Sequence, residues 1–94
     1  MGMFGPDGVE LITKERREQQ KKWSEDHDDG HDSGELAMAA AELVMMETDM
    51  YCEVTNDIFG LCAKHQGERL RQLVIAGALI GAEIDRLHRL GVTK

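Results

Sequence analysis

A chain of 94 residues carrying 18 acidic against 11 basic side chains, net charge -7, has room for one domain and for a modest core. That charge opposes docking on nucleic-acid phosphates or anionic membranes, and it suits a basic partner surface. Six Met, one Pro and few aromatic residues argue against an all-β fold, and the helical periodicities predict an all-α one: a small bundle built on an antiparallel hairpin of two long helices plus an N-terminal helix.

Residues 1–8, with Gly2, Gly5, Pro6 and Gly8, are expected to be a flexible leader, and 9–94 a single helical domain. The first helix is predicted over about 9–23. Its apolar anchors lie only at the ends, Leu11, Ile12 and Trp23. Between them, Lys14 to Lys22 reads as a mostly solvated face. Glu15 and Glu18 interrupt its basic residues and no aromatic is interleaved, so nucleic-acid binding is not indicated.

Ser24 to Gly34 is rich in histidine and aspartate. A second helix should open at Glu35 and run to about Val54, with Leu36, Ala40, Leu43, Met50 and Val54 on one face. Asp32 with Glu35 fits a capping box, Ser33 being the alternative cap. Glu47 falls beside that apolar face, where a carboxylate must meet a partner, water, a metal or an open end. Glu35, Glu42, Asp49 and Glu53 read as a solvated acidic stripe, and Met38, Met45 and Met46 as packing or oligomer contacts. Thr55 to Gly67 is a connector with a helical turn near residues 57–62.

The last helix, about 68–90, contains ten uncharged residues, Leu73 to Ala82. A helix apolar on every side must be enclosed by its own chain or by another subunit. Leu70, Leu73, Gly77, Ile80, Ile84 and Leu87 recur at spacings of three and four, the pattern of a packing seam. Leu73, Gly77, Ile80, Gly81, Ile84 and Leu87 are therefore the expected contacts of a homo-oligomer. Gly77 and Gly81 recur at the spacing of membrane helix dimers, but the apolar run is half the roughly 20 residues a bilayer requires. Gly91 is the expected C-terminal stop, with Arg86, His88 and Arg89 placed to meet the helix dipole. Cys52 and Cys62 match neither a Cys-x-x-Cys nor a zinc-finger spacing; with no signal peptide in view, reduced thiols in a cytoplasm are the simplest expectation.

Histidine and carboxylate together bind zinc, manganese or iron, and carboxylate-rich sets hold magnesium. If the second and third predicted helices pair antiparallel, His27, Asp28, His31, Glu35 and Glu83 converge as a candidate divalent-metal set. The same residues have an ordinary structural role: loop histidines and aspartates cap helices and make turns, and Glu83 can pair with Arg86. An EF-hand is excluded, because with Gly30 as the turn glycine Leu36 stands where a glutamate is required. No Walker loop, nucleophile elbow or catalytic triad is present, so no catalytic residue is assigned.

The blocks Glu15-Arg16-x-x-Gln19, Trp23-x-x-x-His27-Asp28-Asp29-x-His31-x-x-Gly34-Glu35-Leu36-Ala37-x-Ala39-Ala40 and Ala76-Gly77-Ala78-Leu79-Ile80-x-Ala82-Glu83-Ile84-x-Arg86-Leu87 resemble a family of small bacteriophage and prophage proteins. The resemblance covers most of residues 15 to 90 and diverges in the middle. It implies an accessory protein of the host-cell cytoplasm that binds a host protein, a nucleotide signal or a defence complex without catalysis. A more distant similarity is to the all-α nucleoside triphosphate pyrophosphohydrolases of the MazG-like type, which implies hydrolysis of a nucleotide on magnesium held by Glu35 and Glu83. The family pattern is Glu-x-x-Glu followed by Glu-x-x-Asp. Here Met38 and Arg86 occupy the third positions.

Overall fold

The computed structural model describes residues 5–49 and 57–94. Within them the chain is all-α: α1 (Gly8–Lys22), α2 (Glu25–Asp29), α3 (Glu35–Met45), α4 (Leu61–Lys64) and α5 (Arg69–Arg89). α5 is the axis on which the others pack: α3 along one side, α1 along another, and α2 near its C-terminal end. Arg69, which opens α5, donates to the carbonyls of Leu43 and Met46 at the end of α3, so the two helices run antiparallel.

Each helix boundary has a local cause. Asp7 accepts from the Glu10 N–H and starts α1 within the expected leader. Ser24 does the same for α2 through the His27 N–H. The expected Asp32 or Ser33 cap of α3 is not formed. Gly34 takes the cap position in a left-handed conformation, and the Glu35 carboxylate reaches back to the Ser33 N–H at 2.7 Å. Gly91, at φ 86°, closes α5: its N–H bonds the His88 carbonyl and the Val92 N–H bonds that of Leu87, a pairing that needs a left-handed residue and so favours glycine.

The second helix is shorter than its periodicity implies. α3 ends at Met45 and Glu47 turns left-handed at φ 59°, so the expected continuation toward residue 54 is broken; positions 50–56, including Met50, Cys52, Glu53 and Val54, lie outside the described residues. The turn gives Glu47 the partners its position requires. Its carboxylate accepts from the Gly67 N–H and from Nε2 of Gln72, a side chain with no exposure, which also donates to the His65 carbonyl. Glu42 accepts from the Asp57 N–H, and Asp57 in turn accepts the N–H groups of Cys62 and Ala63 to seed α4.

Leu36, Ala39, Ala40 and Leu43 of α3 meet Ile75, Ala76, Leu79 and Ala82 of α5 in the core. Alanines on both helices permit a close approach. The intramolecular seam of α5 therefore lies on roughly the opposite side, at 100° per residue, from the expected Leu70-to-Leu87 stripe. Leu70, Leu73, Ile80 and Ile84 remain 69, 41, 45 and 48% exposed. Leu87 is half-buried, Gly77 lies beneath Ile12 of α1, and Gly81 sits beside Arg16. Along this stripe the final helix is bare at Leu70, Leu73, Ile80 and Ile84.

α1 has no fully buried residue; Ile12 packs over Gly77, and ion pairs join α1 to the other helices. Arg16 donates to Asp85 from Nε and Nη2 at 3.3 and 3.0 Å and pairs with Asp28 at 3.6 Å, while Arg71 donates to Glu15 at 2.6 Å. Glu15 and Arg16, expected on a solvated face, instead link α1 to α5 and α2. Periodicity of apolar residues carries no signal for such pairs.

A candidate ligand cleft beside the histidine turn

Trp23, His27 and His31 are four residues apart, and the short α2 stacks them into a ladder. The Trp23 and His27 rings stack at 4.4 Å between centroids with 20° between planes. His31 stands edge-on to His27 at 4.9 Å, and Phe59 stands edge-on to His31 at 5.0 Å. This ladder forms one wall of a cleft of about 460 Å³. Leu36, Leu61, Ile75 and Leu79 supply apolar lining, and the exposed Lys22, Lys64 and Arg71 supply its cations. The volume lies within the range of about 300–1,000 Å³ usual for small-molecule sites.

The five residues expected to hold a metal are distributed as follows. His27, Asp28, His31 and Glu35 occur along the same turn, with His27 Nδ1 3.7 Å from Asp28 and His31 Nδ1 3.7 Å from Glu35. Asp28 is buried and paired with Arg16. Glu35 is held by the Ser33 N–H; its own backbone N–H, then that of Ser33 and the nearby His31, draw its carboxyl below the usual range against the opposing effect of burial. Glu83 lies on α5. Both of its oxygens accept from Arg86, at 2.6 and 3.2 Å, and that bond raises the guanidinium above its ordinary value, helped by Asp29 and Asp32 nearby. Among the described residues no group of three or more His, Cys, Asp or Glu side chains is placed to hold a metal ion. The donor set present here serves ion pairs and caps, which are contacts a coordinated cation would have to displace.

The expected neighbourhood of this turn and the end of α5 does form, through charge. Arg89 donates to Asp29 at 2.8 Å and pairs with Glu25 at 3.3 Å; the Asp29 bond, with the field of Glu25 and Asp28, raises its guanidinium. These contacts tie α2 to the C-terminal end of α5.

Phe59, Lys64 and Arg71 were not singled out from sequence. The four-residue spacing from Trp23 to His31 is visible there, but the fourth aromatic ring and two of the three cations, Lys64 and Arg71, come from segments more than 25 positions away. No family model matches the chain, and neither the curated proteins nor the solved structures contain a match. Among the described residues no helix is long and apolar enough to cross a membrane.

Proposed function

We propose that the protein is a phage-type accessory protein that binds a small nucleotide signal without catalysis. The observation that carries this reading is the cleft: an aromatic wall for a planar base, an apolar lining, and cations that meet a phosphate. Of the two ligand classes suggested by the sequence, the nucleotide is the one this cleft supports.

Trp23 is the chain's one tryptophan and is 49% exposed in the wall, so its fluorescence is a direct probe. Titration with a nucleotide panel is expected to quench it saturably, and Trp23→Leu is expected to abolish binding measured by calorimetry. The alternative, metal-dependent pyrophosphate hydrolysis, requires the carboxylates of Glu35 and Glu83, which here hold a backbone N–H and a guanidinium. Incubation with nucleoside triphosphates plus magnesium, manganese or zinc is expected to release no pyrophosphate. Release that disappears in Glu35→Ala and Glu83→Ala would replace the binder with the enzyme.

A second copy of the chain is the proposed cover for the bare stripe of α5. The exposed members are Leu70, Leu73, Ile80 and Ile84, and an antiparallel copy would set Leu73 opposite Ile84 and Leu70 opposite Leu87.

A further inference from the structure

We infer that the ligand of the cleft is a nucleoside monophosphate, in preference to a nucleoside triphosphate or an uncharged nucleoside. This inference rests on the nucleotide reading of the site and adds the charge state of what it accepts.

Among the described residues, each of the three carboxylates that line the cleft has a cation partner, and two of the lining cations have no such pair. Arg71 is bound to Glu15 at 2.6 Å, Glu18 to Lys21 at 3.2 Å, and Asp28 to Arg16 at 3.6 Å. Lys22 and Lys64 line the same cleft and make no ion pair among the described residues. One phosphate monoester carries a charge of about -1.5 to -2 at neutral pH, which two ammonium groups match. A triphosphate brings further negative charge for which the lining has no third uncommitted cation among the described residues, in a protein whose net charge is already -7. A nucleoside leaves both lysines unused and has only the aromatic wall and the apolar lining to hold it.

The two lysines come from different parts of the fold, Lys22 at the end of α1 and Lys64 at the end of α4. The positive charge therefore converges on the cleft only once the chain has folded. Neither helix end by itself makes the site.

The test is calorimetric titration of the full-length chain with nucleosides and their mono-, di- and triphosphates, for each of the common bases, in buffer without added metal. The monophosphate of at least one base is expected to bind about tenfold or more tightly than its nucleoside and its triphosphate, the scale of one charge-assisted contact. Lys22→Ala and Lys64→Ala are each expected to weaken the monophosphate about tenfold while leaving the nucleoside within about twofold. Both side chains are exposed, so circular dichroism should show an unchanged fold. A triphosphate that binds tightest, or a nucleoside that binds as well as its monophosphate, overturns the charge assignment and leaves the cleft reading standing. Binding that survives Trp23→Leu unchanged, or no binding by any member of the panel, overturns both.

Discussion

Gly77 and Gly81 stand one turn apart on α5, and the structure expects opposite results from the same substitution at the two positions. A Cβ added at Gly77 falls 2.6 Å from Cδ1 and 2.8 Å from Cγ1 of Ile12, closer than carbon atoms tolerate. At Gly81 the nearest foreign atom is Cδ of Arg16 at 3.8 Å, an ordinary contact. Replacing either glycine by alanine gains about 1 kcal/mol of helix propensity. That gain is common to both and cancels in their difference, which leaves the overlap with Ile12. Overpacking of this kind costs about 1–3 kcal/mol, so Gly77→Ala should be less stable than Gly81→Ala by that amount. In thermal unfolding followed by circular dichroism, about 4–8 °C per kcal/mol for a domain of this size, the two midpoints should differ by at least about 4 °C. Gly81→Ala should melt above the parent. A cycle with Ile12→Ala isolates the cause: without that side chain, Gly77→Ala should recover its propensity gain. Equal midpoints for the two alanine variants, or a deficit at Gly77 that persists without Ile12, would refute the docking of α1 on α5 described above.

Three further outcomes are expected. Asp57 is lowered from its ordinary value of 3.8, because the N–H bonds from Cys62 and Ala63 outweigh the opposing effect of its burial. A carboxylate lowered on folding contributes stability at neutral pH that is lost as the pH falls through its folded value, so Asp57→Ala should cost about 1–2 kcal/mol at pH 7 and progressively less below about pH 4 in urea unfolding. A cost independent of pH down to 2 would contradict this. The Cys62 thiol is pushed up to about 11 from 9.0, first by burial and then by Asp57, which leaves about a hundredfold less thiolate at pH 8; in a Cys52→Ser background its reaction with an aromatic disulfide reagent should accelerate at least that much on unfolding, and rapid labelling of the native protein would count against the buried placement. Light scattering is expected to show a dimer at micromolar concentration that Ile80→Glu or Ile84→Glu converts to a monomer. A monomeric parent chain would remove the second copy from the stripe.

Much of the fold was legible in local patterns. The spans of α1 and α5 agree with their periodicities to within a residue or so, and Gly91 ends α5 as expected, because caps and stops act over a few neighbouring residues. The second helix was overextended: apolar spacing continues past Met45, but the carboxylate of Glu47 finds Gly67 and Gln72 only when the backbone turns left-handed. Tertiary hydrogen bonds outweigh propensity there. The candidate site was legible in part. His27 and His31 drew attention as metal ligands, and the structure shows what else their spacing does, which is to align rings with Trp23. Glu83 was paired with its neighbour Arg86 in the ordinary reading of the sequence, and that pair is formed.

By itself, the sequence determined that the chain would be helical and that its last helix would be central, and, given an antiparallel pairing of the two long helices, that the histidine turn would lie near that helix's end. These follow from periodicity, composition and chain connectivity, all local quantities. Only the tertiary structure decided which face of α5 is buried, since a helix apolar on every side carries no internal preference. Only the tertiary structure, too, assembled Phe59, Lys64 and Arg71 with the ladder, because a cleft is a relation between distant segments and leaves no periodic trace in any of them.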